Sequence, residues 1–170
     1  GAGKTTFVRH LLRALGVRGR IKSPTYAVVE PHSAIDCPLM PAGEPLSIWH
    51  FDFYRFNDPR EWEDAGFREL FASPGLKLVE WPERAAGFLP PIDLDLHIDP
   101  DPMNTDPEHD DARQVQATAH TTAGRLMLAA KTAHQGLWSS FWLELGVARH
   151  LMWCSSYKKR SRQSVLATSS

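Results

Sequence analysis

The sequence predicts an α/β domain, because it contains both helical and strand patterns. Apolar side chains fall on one helical face over residues 5–15, and Gly16 follows as a C-cap, so this segment is predicted to be a helix. Two short apolar runs, 46–51 and 76–79, are predicted to be strands. An acidic residue follows each of these strands directly. We expect a functional site where the helix and the ends of the two strands come together.

The remaining elements follow from local signals. A short strand is predicted at 26–30, and the proline-rich stretch 31–45 is predicted to be a loop. The run 58–61 has the residues of a helix start, and its helix is expected to bury Trp62, Ala65, Leu70 and Phe71. Alternation predicts a strand at 94–98 with one solvated face, then an acidic connection, a strand at 115–120, and a hairpin continuation or a helix at 124–130.

Composition limits the class of protein. A chain of 170 residues suits one domain, and its net charge of -1 provides no global basic field for direct nucleic-acid binding. The two cysteines, Cys37 and Cys154, lack metal-ligand spacing and form no disulfide framework, which favours a reducing compartment. No apolar run approaches the roughly 20 residues that a membrane span needs.

The first residues carry the strongest chemical motif. Gly1-Ala2-Gly3-Lys4-Thr5-Thr6 matches the second half of the Walker A loop, G-x-x-x-x-G-K-[ST]. Glycines let backbone N–H groups surround phosphate oxygens, the lysine charge reaches the β- and γ-phosphates, and the hydroxyl that follows coordinates Mg²⁺. The alternative is a glycine-rich helix entry with an exposed lysine, but the amphipathic helix directly behind the motif favours phosphate binding.

A nucleotide site with Mg²⁺ also needs carboxylates at strand ends. Asp52 ends the predicted strand 46–51, and Glu80 ends 76–79. Taken singly, Asp52 suits a turn and Glu80 a solvated acid, but two such acids after a Walker A loop favour metal or water positioning. Thr25 lies in Ser23-Pro24-Thr25-Tyr26, where spacing alone favours a simple turn over a γ-phosphate contact. His50 is interpreted as a packed strand residue.

Four blocks together resemble the TsaE (YjeE) family in order and spacing: residues 1–6, then Lys22-Ser23-Pro24-Thr25-Tyr26, His50-Phe51-Asp52-Phe53-Tyr54-Arg55, and Leu78-Val79-Glu80-Trp81-Pro82-Glu83. The resemblance runs to about residue 130. It implies a P-loop NTPase-like fold with a mixed sheet flanked by helices, and Mg²⁺-dependent ATP binding with slow hydrolysis. It further implies a cytoplasmic role in making N6-threonylcarbamoyladenosine at position 37 of tRNA, with TsaB and TsaD as protein partners and tRNA engaged only indirectly.

The resemblance also assigns site residues by position. Gly1, Ala2, Gly3, Lys4, Thr5 and Thr6 correspond to the family's nucleotide-binding loop, and Trp81 corresponds to its tryptophan beside the nucleotide. Thr25 resembles the switch threonine near the γ-phosphate. Asp52 resembles the Walker B-like acid and Glu80 a second acid, so Thr5, Asp52 and Glu80 are the implied metal contacts, and Asp52, Glu80 and Thr25 the implied catalytic groups.

Two departures from the family pattern stand out. The chain begins inside the Walker A motif, so we expect the first strand of the fold to be missing and ATP binding by this chain to be weak. We therefore interpret 1–133 as a P-loop ATPase domain that is incomplete at its N-terminus. Residues 134–170 are interpreted as a tail of unknown role that resembles nothing in the family, with an amphipathic helix over 137–153 and disorder beyond it.

Two other function classes remain open at this point. The first is a small-molecule kinase on a P-loop scaffold, although the sequence contains no arginine-rich lid. The second is a nucleotide-dependent docking module that hydrolyses nothing. Product analysis and hydrolysis assays separate these two classes from an ATPase.

Overall fold

A computed structural model describes residues 3–24, 27–37, 40–56, 58–100, 113–130 and 149–155. Both helices and strands occur along these residues, as the sequence predicts. Their order is α1 (Lys4–Ala14), β1 (Val29–Ala34), β2 (Leu46–Asp52), α2 (Pro59–Asp64), α3 (Phe67–Ala72), β3 (Gly75–Glu80), a 3₁₀ helix (Pro82–Ala85), β4 (Leu94–Pro100), β5 (Arg113–Ala119), α4 (Thr122–Ala130) and β6 (Arg149–Ser155). None of the described helices is long and apolar enough to cross a membrane.

The described strands form one mixed sheet in the order β1-β2-β3-β6-β4-β5. The four inner strands run parallel to one another, whereas β1 and β5 pair antiparallel with them at the two edges. Parallel strands bring their carboxyl ends to the same edge of a sheet, which is where α/β folds build ligand sites. The predicted mixed sheet flanked by helices is therefore confirmed.

The two faces of the sheet carry different cores. Helix α1 covers one face and buries Val8 and Leu12 against aliphatic residues of the strands. The other face carries an aromatic cluster, made of Phe51, Phe53, Phe56, Trp62, Phe67 and Phe71 together with Val79 and Ala85. Because β3 lies between these two cores, all six of its residues are buried.

Several predicted elements are confirmed with small shifts. The predicted helix, the two strands that end in acids and the alternating strand correspond to α1, β2, β3 and β4. The strand predicted at 26–30 instead covers Val29–Ala34 and extends into the predicted loop. The cause lies at Val28, whose φ of 63° interrupts the extended backbone, so that β1 begins only after it.

The helix predicted after residue 58 is two helices. Gly66 has a φ of 65° and separates α2 from α3, because a left-handed residue cannot continue a right-handed helix. As a result Ala65 is exposed and Leu70 only half-buried, while Trp62 and Phe71 are buried as predicted. Of the two alternatives for 124–130, the structure shows the helix.

Strand β6 lies in the segment 134–170, which is predicted from sequence to be a tail. It pairs in parallel with β3 on one side and with β4 on the other. The structure thus shows a strand at Arg149–Ser155, where the sequence analysis expected the end of a helix and then disorder. Residues 131–148 and 156–170 lie outside the described residues, and the division after residue 133 stays a prediction.

Candidate functional site

Two acidic residues meet at the carboxyl edge of the sheet. Asp52 ends β2, Glu80 ends β3, and the two are direct neighbours in the parallel register. The side chains are 6% and 2% exposed, respectively, so both carboxyl groups lie largely out of contact with solvent. Buried carboxyl groups need hydrogen-bond partners. The partners of Asp52 and Glu80 therefore show which other residues belong to the candidate site.

Helix α1 begins beside these acids. Gly3 is its N-cap with a φ of 90°, a conformation that glycine adopts without strain, and Phe7 N–H donates to the Gly3 carbonyl over 2.9 Å. At the second residue of this helix, the Thr5 hydroxyl donates to Glu80 Oε2 over 3.1 Å. The positive end of the α1 dipole therefore lies at the edge where β3 ends, and the first turn contains no acidic residue that would oppose an anion.

The side chain of Lys4 is buried against Trp81. Its Nζ lies 4.1 Å from the centre of the indole ring, and only 7% of the residue is exposed. Trp81 follows β3 directly and has a φ of 58°, unusual for a residue with a side chain. The Tyr54 ring packs on the indole at 5.0 Å between centroids. Such backbone strain is common at functional sites, where the surrounding structure enforces it.

Glu80 has a second partner beneath the sheet edge. His50 Nε2 lies 2.9 Å from Glu80 Oε1, and the histidine is 0% exposed. Each oxygen of the carboxylate therefore has its own partner, Thr5 for one and His50 for the other. Asp52 is held differently, since its Oδ1 accepts the backbone N–H of Tyr54 over 3.0 Å, which is the turn contact that the sequence suggested as its ordinary role.

The donor set at this edge fits Mg²⁺ bound together with phosphate. Thr5 and Glu80 offer a hydroxyl and a carboxylate oxygen, the hard oxygen ligands that Mg²⁺ prefers. Among the described residues, no group of three or more histidine, cysteine, aspartate or glutamate side chains is placed to hold a metal by itself.

The structure brings together most of the residues that the sequence singled out. Lys4, Thr5, Asp52, Glu80 and Trp81 lie at the carboxyl edge around the start of α1, with Gly3 as the helix cap. Thr6 is on α1 with its side chain exposed. Gly1, Ala2 and Thr25 lie outside the described residues, so their predicted roles stay predictions.

Two neighbours of the site were not predicted. His50 was interpreted as packing only, yet it lies two residues before Asp52 and therefore on the same face of β2, a signal that the strand period alone provides. Arg113, at the start of β5, reaches Gly3: its Cγ and Nε lie 3.9 Å from the position that a Cβ on Gly3 would take. No feature of the sequence indicates this second contact.

One further histidine lies near the cluster. His32 on β1 packs beside His50, with 6.5 Å between ring centroids. Burial lowers the pKa of His32 below its usual value of 6.5, the neighbouring His50 lowers it further, and Glu30 opposes both effects. The structure therefore favours the neutral imidazole of His32.

A separate cavity of about 480 Å³ lies among the residues of the aromatic core and the loop before β4. It shares no lining residue with the cluster at the carboxyl edge. Its walls are formed by Trp62, Arg68, Phe71, Ala72, Gly87, Phe88, Pro90, Pro91 and Asp93. The candidate site is thus defined by converging polar groups and not by this cavity.

The fold and this cluster define a mixed α/β protein in which a glycine-capped helix start lies beside two buried acids. Comparison with known proteins agrees: the family model described as "Threonylcarbamoyl adenosine biosynthesis protein TsaE" matches residues 1–110. A Haemophilus influenzae protein named "tRNA threonylcarbamoyladenosine biosynthesis protein TsaE" is 38% identical over 130 residues, covering 76% of this chain and 72% of the relative. The chain belongs to the TsaE family.

Other relatives carry the same name and match a shorter part of the chain. The Bacillus subtilis protein is 35% identical over 98 residues, which is 58% of this chain and 55% of the relative. The Treponema pallidum protein is 33% identical over 97 residues, covering 57% of this chain and 64% of the relative. Strand β6 lies beyond the residues that the family model matches.

Proposed function

We propose that this chain binds ATP with Mg²⁺ at the carboxyl edge of its sheet and hydrolyses it in support of tRNA threonylcarbamoyladenosine synthesis. The observation that carries the proposal is the contact between Thr5 and Glu80, 3.1 Å between oxygens, which joins the start of α1 to the end of β3. Family membership supports the biological role, since the matching relatives are named as tRNA threonylcarbamoyladenosine biosynthesis proteins.

The phosphate end of the nucleotide is assigned to the first turn of α1. Its backbone N–H groups and dipole attract anions, and Lys4 adds a full positive charge. Gly1, Ala2, Gly3 and Thr6 are assigned to the same proposed nucleotide-binding loop. Lys4 now lies over the Trp81 ring, and we propose that it exchanges this ring for a phosphate oxygen when the nucleotide binds.

The metal end is assigned to Thr5, Asp52 and Glu80. When bound there, Mg²⁺ neutralises charge that develops on the phosphate oxygens. Thr5 and Glu80 supply oxygen ligands from two elements that their hydrogen bond already holds together. Asp52 lies beside Glu80 in the register, so a second carboxylate is available to orient the attacking water and accept its proton. Thr25 is proposed as the switch residue near the γ-phosphate.

The proposed setting is the cytoplasmic tRNA modification pathway. TsaB and TsaD are the proposed protein partners, and the chain is proposed to act on tRNA only through them. The net charge of -1 is consistent with this indirect role, because it provides no global basic field for direct tRNA binding. Hydrolysis is proposed to drive turnover of the complex and not the transfer chemistry itself.

The test is ATP binding and phosphate release with Mg²⁺, measured on this chain and on a version with a complete Walker A loop and a preceding strand. Lys4→Ala removes the cation, Thr5→Val removes only the hydroxyl, and Thr5→Ser keeps it. We expect Lys4→Ala and Thr5→Val to weaken binding at least about tenfold, because a hydrogen bond to a charged group contributes about 1.5–3 kcal/mol. Thr5→Ser should stay within about threefold of the unchanged protein.

The possible results separate the function classes. Folded protein that never binds ATP, even with the complete loop, contradicts the proposal at its root. Binding without hydrolysis, with or without TsaB and TsaD, indicates a docking module. Transfer of the γ-phosphoryl group to a small acceptor instead of water indicates a kinase.

A further inference from the structure

His50 is buried more completely than either acid of the site. It is 0% exposed on β2. Its register neighbour Leu78 and the strand residue Ile48 are apolar, and both belong to the core that α1 covers. A polar ring in such surroundings loses its hydration and needs a specific partner in return. The partner is Glu80, whose Oε1 lies 2.9 Å from His50 Nε2.

The contact with Glu80 indicates which ring nitrogen of His50 is the hydrogen-bond donor. Among the described residues, the other ring nitrogen, Nδ1, has no hydrogen-bond partner. A proton on Nε2 gives the Glu80 carboxylate a donor, whereas a proton on Nδ1 would be buried without an acceptor, so the hydrogen-bond geometry favours Nε2 as the donor. His32 is the nearest other imidazole, but 6.5 Å between ring centroids and a tilt of 31° make this a packing contact.

We infer that His50 is a positioning residue for Glu80, and that it fixes the carboxylate so that the second oxygen faces Thr5. This inference rests on the proposed function, in which Thr5 and Glu80 together hold the metal. A carboxylate turns about its last side-chain bond, and a donor on one oxygen restricts that rotation. The hydrogen bond from His50 leaves Oε2 directed at the Thr5 hydroxyl, 3.1 Å away.

The position of His50 predicts which kinetic constant it changes. Phosphate affinity is assigned to Lys4 and the backbone of α1, and the one hydrogen bond described for His50 goes to Glu80. Losing the donor should therefore disturb the metal and water side of the site and lower kcat, while KM for ATP stays nearly constant. Loss of a group that orients a metal ligand commonly costs 10–100-fold in activity or metal affinity.

The experiment compares two replacements of one residue. His50→Gln keeps an N–H donor near the Nε2 position, whereas His50→Leu fills the site without one. We expect His50→Leu to lower kcat at least about tenfold with KM within about threefold, and His50→Gln to recover most of that loss. His32→Leu is the matched control, since it makes the same change on the same sheet face without touching Glu80, and should leave kcat unchanged.

A second readout does not depend on catalysis. In protein with ¹⁵N-labelled histidine, long-range nitrogen–proton spectra should show the His50 ring protonated at Nε2, and Glu80→Gln should shift its resonances while the His32 signals move less. If His50→Leu does not fold, His50→Asn replaces it, because its shorter amide does not reach Glu80 Oε1.

The results distinguish the inference from the proposed function. Absence of ATP hydrolysis even by the version with the complete Walker A loop defeats the function, and the ring spectra then still decide whether His50 holds Glu80. Hydrolysis with equal kcat in His50→Leu and His50→Gln overturns the inference and leaves the function standing. Ring resonances that ignore Glu80→Gln overturn it as well.

Discussion

The Lys4 ammonium lies 4.1 Å from the centre of the Trp81 ring, a contact between the first residue of α1 and the residue that follows β3. If Lys4 leaves the ring for a phosphate, the field at the indole changes. We therefore expect a change of tryptophan emission when ATP and Mg²⁺ are added, saturating with the binding curve. A tryptophan fluorescence titration measures it.

Because the chain has six tryptophans, the source of that change needs a control. Trp81→Phe keeps an aromatic ring and should remove most of the emission change. Lys4→Met keeps the aliphatic part of the side chain without its charge, and should remove the change together with binding. An equal change in Trp81→Phe would show that the emission change comes from other tryptophans, contrary to the expectation that Trp81 is its source.

The extent to which the site could be predicted from sequence depends on the range of the contacts. Apolar runs that end in acids indicated Asp52 and Glu80, because a strand and its last residue are local features. The contact between Thr5 and Glu80 could not be predicted from local sequence patterns, since 75 positions separate the two residues. His50 was visible as a residue of β2, but its role appears only when β3 lies beside it.

The same distinction explains the differences in the fold. Local residue chemistry predicted α1, β2, β3 and β4, but it missed two positions with positive φ, Val28 and Gly66, which moved the start of β1 and split the helix after residue 58. Strand β6 was missed for a different reason. Its pairing partners in β3 lie about 70 positions earlier in the chain, for example Gly75 opposite Arg149. Pairing between residues so far apart in the chain is not visible as a periodic pattern in the sequence of the strand itself, so no local pattern identified 149–155 as a strand.

The left-handed backbone of Val28 predicts that glycine at this position gives a more stable protein than alanine, the reverse of the usual order of stability. Its φ is 63°, and its carbonyl accepts the backbone N–H of Asp52 over 2.9 Å, which holds the strained residue in place. Val28→Gly and Val28→Ala lose the same contacts of the valine methyl groups, but only glycine removes a strain of about 1–2 kcal/mol. We expect the glycine variant to be more stable than the alanine variant by about 1 kcal/mol in urea unfolding. Greater stability of the alanine variant would mean that Val28 is not left-handed in solution.

His32 predicts a dependence of stability on pH. Burial first, and His50 second, lower the pKa of His32 in the folded protein, so the unfolded chain takes up this proton more readily. The contribution of His32 is therefore fully present above pH 6.5, the unperturbed value, and is lost as the pH falls toward the lower folded-state pKa. Urea unfolding between pH 7.5 and pH 5 should show a slope that His32→Leu reduces. An unchanged slope in that variant would assign the pH dependence to other groups.

The close packing at Gly124 predicts that alanine there destabilises the protein, although helix propensity alone predicts stabilisation. It lies in α4 against the backbone carbonyl of Asp93, where an added Cβ would overlap that carbonyl. Glycine to alanine within a helix normally stabilises by about 1 kcal/mol, but overpacking costs about 1–3 kcal/mol. We expect Gly124→Ala to lower the free energy of unfolding, whereas Ala129→Gly in the same helix should cost about 1 kcal/mol. Stabilisation by Gly124→Ala would show that α4 does not approach Asp93.

The central position of β6 predicts that its backbone is essential to the sheet. Leu151 lies opposite Lys77 of β3, and β6 has β4 as its other neighbour. In a strand paired on both sides, each interior N–H donates to one neighbour, so proline there removes a donor and leaves a buried carbonyl unpaired. Leu151→Pro should therefore cost about 1–3 kcal/mol more than Leu151→Ala, which keeps the N–H. Equal unfolding midpoints for the two variants would mean that 149–155 does not lie between β3 and β4 in solution, and that the sheet is held together at this place by other means.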